Sequence, residues 1–182
     1  TAGAEQHRVR HHHLALVFRI GQFFHRHTAI HCQAMRDDQL ERMAQLGVTV
    51  SFFSAHVYYW GDRHYYTFLG PERAEPISPA ASAERLGVRH TLHNAAPVMP
   101  TRPRGPILGK GQRISVLSAL RALTLTINAA WQVFQDPVRG SIEVGKLADP
   151  AILDRNPLDG PAALEQTVVM HTIRRGVRVW DI

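Results

Sequence analysis

A short apolar run at residues 28–33, Thr-Ala-Ile-His-Cys-Gln, constrains the fold of this chain more than any other segment. It has the composition of a β-strand and contains His31 near its end. Residues 35–40, which come soon after it, are typical of the start of a helix. A strand that ends in a histidine and turns into a helix is the unit of an α/β barrel, where chemistry sits at the carboxyl ends of the strands. Taken alone, His31 is better explained as an ordinary satisfied histidine, and the later segments are what favour a site.

The same order of elements recurs along the chain. Two further strands each follow a helix that a glycine ends, and each leads into a histidine: helix 37–46, strand 48–53 and His56, then helix 80–86, strand 88–92 and His93. Three strand–helix units in succession predict a parallel sheet or part of a barrel. From residue 140 the pattern changes to strand-like pieces at 140–146 and 151–153 and a hairpin over 167–180, which predict a small β unit.

The composition narrows the classes of function. The formal charge of +6 comes from scattered arginines without a dense basic run, so we do not expect nucleic-acid binding. No apolar run approaches the ~20 residues that cross a bilayer, and the beginning of the chain lacks a secretory pattern, so we expect no membrane association and a cytoplasmic location. The single cysteine, Cys32, excludes an internal disulfide and is expected to be a small buried side chain rather than a nucleophile.

Residues 1–27 show neither clean helical nor clean strand periodicity, and we treat them as an unplaced leader. Seven of the 12 histidines fall in the first 31 positions, including His11-His12-His13. A metal-binding cluster is one explanation of this enrichment. A non-native leader is the other explanation, and we prefer it.

Several segments resemble a known family. Residues 140–149, Gly-Ser-Ile-Glu-Val-Gly-Lys-Leu-Ala-Asp, with 152–157 after them, look like the C-terminal signature of the amidohydrolase superfamily. Five other segments resemble the amidohydrolase family 3 branch, the YtcJ-like metal-dependent hydrolases: residues 28–33, 51–56, 59–62, 69–74 and 93–98. Together these matches cover Thr28 to about Trp180, whereas the first 27 residues match poorly.

The resemblance implies a (β/α)8 barrel that holds one or two divalent metals, usually zinc. A complete barrel needs ~250 residues, so we expect this chain to be a C-terminal portion. In that interpretation residues 28–139 are a partial barrel with its late strands and helices, and residues 140–182 are part of a β-sandwich that both termini build. Half a barrel exposes strand edges and apolar faces, so we expect the chain to pair with itself or with the missing N-terminal part.

The resemblance also assigns the metal chemistry. His31 matches the metal-ligand histidine at the end of the sixth strand of the family's barrel. The aspartate that touches the metal and accepts the proton of the water falls where this chain has Ala95. An alanine side chain can neither bind a metal nor accept a proton, so we assign no catalytic residue in this chain. We expect this chain alone to hold zinc weakly or not at all, because one credible ligand is too few.

Three residues are predicted at the mouth of the substrate site: His56, Trp60 and Asp62. The last two lie in residues 57–62, Val-Tyr-Tyr-Trp-Gly-Asp, which we predict to be an aromatic loop. Each of these three residues also has an explanation that involves no substrate. His56 is as well explained by a hydrogen bond to loop backbone, Trp60 by packing, and Asp62 by turn formation after glycine.

The leading hypothesis is therefore a metal-dependent amidohydrolase, present as a C-terminal fragment with doubtful activity alone. Its substrate would be a small amide, ester or cyclic amide, and a metal-activated water would hydrolyse a carbon–nitrogen bond other than a peptide bond. The alternative is a catalytically inactive remnant that serves as a structural or interaction module. Ala95 is the feature that favours this alternative.

Overall fold

Three short strands form a parallel sheet in the order β1 (Thr28–His31), β2 (Thr49–Phe52) and β3 (His90–Leu92). The computed structural model describes residues 25–94, 108–123 and 126–181. Thr28 pairs with Thr49, and Val50 pairs with His90. Because all three strands run in one direction, their carboxyl ends meet at one edge of the sheet. The parallel arrangement predicted from the strand–helix order is confirmed.

Helices connect the strands. Helix α1 (Asp37–Leu46) leads from β1 to β2 and ends at Gly47, whose φ of 67° is the left-handed conformation that glycine adopts at low cost. Between β2 and β3 lie α2 (Ser54–Arg63), a π-helix (His64–Phe68), α3 (Pro71–Ala74) and α4 (Ala80–Arg85).

The aromatic loop predicted over residues 57–62 is wrong, because the whole segment lies inside α2. Aromatic residues have only modest helix propensity, so local sequence gives little signal here. The helix is stabilised by packing: Phe53 and Ala55 are buried, with Tyr59 and Trp60 against them. Tertiary contacts therefore decide the conformation of this segment.

The main core lies between the sheet and helices α1 and α4. Its buried members come from α1, β2, α4 and the segment just before β3: Leu40, Val50, Phe52, Ala80, Ala83 and Val88. Leu40 and Phe52 are both completely buried. This core fixes the central strand, and with it the position of the strand ends.

The amino edge of the sheet carries an arginine–tryptophan cluster of Arg26, Arg89 and Trp131. The guanidinium carbons of Arg26 and Arg89 lie 4.6 and 4.3 Å from the centroid of the Trp131 ring. Arg26 lies two residues before the start of β1, and Arg89 immediately precedes β3. Arg26 also forms a 2.6 Å ion pair with Asp136. Partly buried cation–π contacts of this kind are each worth about 0.5–2 kcal/mol. The cluster therefore joins the two outer strands through one indole ring.

Two short helices, α5 (Val116–Ala122) and α6 (Ile127–Gln132), follow the sheet, and Trp131 belongs to the second. Gly140 lies directly against α6 with a φ of +96°. A Cβ at that position would lie 2.6 Å from the Cβ of Ala130. Glycine is therefore required here for both conformation and space.

The last part of the chain forms an antiparallel sheet in the order β4 (Ala151–Leu153), β5 (Val169–Arg174) and β6 (Val177–Asp181), with helix α7 (Pro161–Gln166) between the first two strands. The predicted hairpin is confirmed. Its turn residues, Arg175 and Gly176, both have positive φ, as tight hairpin turns require. The strand-like piece predicted over 140–146 is wrong, since that segment contains bends and one turn and no strand. Among the described helices, none has the length and apolar character needed to cross a membrane.

Candidate functional site

Three histidines lie at the carboxyl edge of the parallel sheet. His31 is the last residue of β1, His56 lies in the first turn of α2 just after β2, and His93 directly follows β3. The Phe53 ring lies among them, with centroid distances of 5.5, 5.3 and 5.2 Å to His31, His56 and His93. Phe53 is only 4% exposed, so it forms an apolar floor to this group. We call these four residues, together with His64, the strand-end site.

The imidazoles of His31 and His93 lie close together at the carboxyl ends of β1 and β3. Their ring centroids are 5.3 Å apart, with 25° between the ring planes. His31 is exposed and has a φ of 72°, and Cys32 after it has a φ of 45°. Non-glycine residues in this region are strained by about 1–3 kcal/mol, and such strain clusters at functional sites. The chain therefore turns sharply where His31 is presented.

His93 is held by a series of side chains that reaches into the fold. Its Nδ1 lies 2.8 Å from Ser51 Oγ. Thr91 Oγ1 lies 2.9 Å from Ser51 Oγ and 3.3 Å from Gln132 Oε1. Ser51 and Thr91 are buried neighbours on β2 and β3, so this network fixes the orientation of the imidazole.

His56 is paired with a histidine that the sequence did not single out. Its Nδ1 lies 2.9 Å from Nε2 of His64, the first residue of the π-helix. The described partner of this nitrogen is therefore a second imidazole, whereas the alternative interpretation expected loop backbone. Trp60 lies beside them, with its ring centroid 6.3 Å from that of His56. Asp62 is exposed on α2, so the alternative explanation that placed it in a turn after glycine is wrong.

Burial favours the neutral form of three imidazoles in the strand-end site, because it lowers their pKa values. It lowers the pKa of His56, and the neighbouring His64 and His31 lower it further. Burial also lowers the pKa of His64, and it lowers the pKa of His93 together with the nearby His31. A neutral imidazole is both a proton acceptor and a metal ligand. Cys32 differs, because burial raises its pKa and favours the unreactive thiol over the thiolate nucleophile.

The described residues supply an incomplete set of metal ligands. Within residues 25–94, 108–123 and 126–181, no group of three or more His, Cys, Asp or Glu side chains is arranged to hold a metal ion. His31 and His93 have the donor chemistry for two adjacent positions of a zinc ion. Ala95 lies outside the described residues. His93 and His64 were missed as site residues, although the place of His93 after a predicted strand was a usable signal.

Stability should fall as the pH is lowered below about 6.5, because buried histidines resist protonation. Burial lowers the pKa of His90, which is 6% exposed, below its ordinary value of 6.5. The unfolded chain then binds more protons than the folded chain below that pH, so folding weakens as the pH falls. Urea unfolding at a series of pH values should show this slope, and His90→Gln should reduce it. His27→Gln, which replaces an exposed histidine, should leave this slope unchanged. A stability that is flat between neutral and mildly acidic pH would contradict this account.

Comparisons with known proteins agree with this architecture. The family model described as the amidohydrolase family matches residues 3–180, so the chain belongs to the amidohydrolase family. The match includes most of the segment that we had predicted to be an unplaced leader. No curated protein sequence matches the chain.

Three solved structures illustrate the likeness in fold. An amidohydrolase from Thermotoga maritima is 20% identical with a TM-score of 0.61, over 85% of this chain and 37% of that chain. An adenosine deaminase from Xanthomonas campestris with bound zinc is 19% identical with a TM-score of 0.60, over 91% and 39%. An uncharacterized metal-dependent hydrolase from Pyrococcus furiosus is 27% identical with a TM-score of 0.59, over 72% and 28%. This chain thus spans well under half the length of each.

Proposed function

We propose that this chain is the C-terminal portion of a metal-dependent amidohydrolase barrel. In this proposal a metal-activated water hydrolyses a non-peptide carbon–nitrogen bond in a small amide, ester or cyclic amide. Residues 28–139 are the late strands and helices of the barrel, and residues 140–182 are part of its β-sandwich. The observation that carries the proposal is the convergence of His31, His56 and His93 at the carboxyl edge of a parallel sheet, in a chain of this family.

Each residue has a proposed role. His31 is a metal ligand, because it is exposed at the strand end and its imidazole is a good ligand for zinc. His56 and Trp60 form the wall of the substrate site on α2, and Asp62 lies farther out on the same helix. A bound divalent metal lowers the pKa of its water toward ~7. The described side chains contribute one wall of such a site, with Phe53 excluding water from beneath it.

Zinc binding tests the role of His31. In equilibrium dialysis against a fixed free zinc concentration, we expect the full chain to bind more zinc than His31→Ala, as measured by elemental analysis. His27→Ala is the matched control, since it removes an exposed histidine that precedes the same strand. Any zinc held by the histidine-rich residues 1–24 cancels in this comparison. Equal zinc contents in the two variants would refute the role of His31.

Ala95→Asp extends the test. Restoring the family's aspartate should strengthen zinc binding, because a carboxylate adds a ligand to the site. The measurement is competition with a chromogenic chelator. If neither the natural chain nor Ala95→Asp binds zinc through His31, the inactive structural module becomes the better proposal. That second candidate rests on the alanine at this position.

A further inference from the structure

The network behind His93 has a definite direction. An amide oxygen only accepts hydrogen bonds, and a hydroxyl has one proton to donate. With Gln132 Oε1 next to the Thr91 hydroxyl, one direction satisfies all three contacts: Thr91 donates to Gln132, Ser51 donates to Thr91, and the Nδ1–H of His93 donates to Ser51. The opposite direction would leave two acceptors, Thr91 and Gln132, facing each other.

This direction fixes the tautomer of the imidazole. When Nδ1 of His93 carries the proton, Nε2 carries the lone pair. Ligand histidines in metal sites are commonly held in this way, with the other ring nitrogen donating to a hydrogen-bond acceptor. The network therefore prepares His93 to act as a ligand, even though no metal is needed to form it.

The spacing of the two strand-end imidazoles suits a shared ion. Zinc binds imidazole nitrogen at about 2.0–2.1 Å, and two imidazoles in a tetrahedral site have ring centres roughly 5 Å apart. The ring centroids of His31 and His93 are 5.3 Å apart. We propose that His93 is a second imidazole ligand beside His31, binding a divalent transition-metal ion through Nε2, and that Ser51, Thr91 and Gln132 are positioning residues that fix its tautomer.

This proposal gives strand β3 a metal-binding side chain although residue 95 is alanine. His93 lies two positions before Ala95 in the sequence, directly after the last residue of the strand. The part that concerns the metal rests on the proposed function, whereas the part that concerns the tautomer stands on the hydrogen bonds alone. The two parts are therefore tested separately.

Nuclear magnetic resonance of the full chain with ¹⁵N-labelled histidine tests both parts. The signals of His93 and His31 are assigned from His93→Gln and His31→Gln. In the metal-free chain we expect Nδ1 of His93 to be protonated and Nε2 to be bare. On addition of zinc, the nitrogen signals of both rings should shift together.

The other outcomes are distinct. A His93 ring protonated at Nε2 in the metal-free chain overturns the tautomer and the network direction. A zinc-induced shift at His31 without one at His93 overturns the second ligand and leaves the proposed function intact. If the signals of neither ring shift when zinc is added, both the second ligand and the proposed function are overturned.

Ser51→Ala tests the positioning role. Loss of a hydrogen-bond partner behind a ligand histidine typically weakens metal binding about 10–100-fold, and we expect that loss here together with a mixture of His93 tautomers. Ser82→Ala is the matched control, because Ser82 is 6% exposed and Ser51 is 5% exposed. Thr91→Val, which keeps the side-chain shape, provides a second variant if Ser51→Ala does not fold. Unchanged zinc affinity in either folded variant overturns the positioning role.

Discussion

Replacement of Phe52 by alanine is expected to lower the free energy of unfolding by about 3–5 kcal/mol. Phe52 is completely buried at the end of the central strand, where it packs in the core with Leu40 and Val50. Its backbone carbonyl also accepts the amide of His93 at 3.0 Å, so the same residue supports the strand-end site. Alanine would leave a cavity between the sheet and α1 that the surrounding side chains cannot fill. Urea unfolding followed by circular dichroism measures the change.

Phe68→Ala is the control for this variant. Phe68 is 61% exposed at the end of the π-helix, so truncation removes little buried surface and should cost under about 1 kcal/mol. Because domains have total stabilities of about 5–15 kcal/mol, the loss expected for Phe52→Ala is a large fraction of the whole. Equal losses in the two variants would show that the core is not where the structure has it.

Gly140→Ala is expected to lower the free energy of unfolding by about 2–6 kcal/mol, the sum of backbone strain and overpacking. A Cβ at residue 140 meets Ala130 Cβ at 2.6 Å and Ile127 Cα at 3.0 Å, at a φ of +96°. The neighbouring atoms belong to a helix and to a short side chain, so they have little freedom to move away. The variant should unfold at markedly lower urea concentration than the natural chain.

Gly145→Ala separates the two contributions. Gly145 has a similar φ of +91°, and no described atom lies within 4 Å of its built Cβ. This variant should lose only the free energy that backbone strain costs. The difference in the free energy of unfolding between the two variants therefore isolates the contact with α6, about 1–3 kcal/mol. If both variants lose the same stability, Gly140 does not pack on α6.

The order of strands and helices in residues 28–92 was predictable because its signals are local. Apolar spacing marks α1, glycines mark the ends of α1 and α4, and strand composition marks β1 and β2. Helix α2 was not predictable in this way. Its aromatic side chains have no strong preference for a helix, and it is stabilised by contacts with Phe53, the residue that follows β2.

The position of the candidate site could be predicted from the sequence, whereas only some of its residues could. Parallel strands carry their carboxyl ends to one edge, so His31 and His56 could be placed there from the sequence. His64, the partner of His56, could not be placed there, because a loop over residues 57–62 gave no reason to bring the two histidines together. The network from His93 to Gln132 joins three separate elements and leaves no pattern in the sequence.

The arginine–tryptophan cluster has a consequence for how this chain can change over evolutionary time. It fastens the outer strands at the end of the sheet opposite the histidines, so rigidity and chemistry reside at different ends. Substitutions among the histidines can therefore alter the strand-end site while the framework persists. A lineage carrying this chain would be able to vary that site without first rebuilding its scaffold.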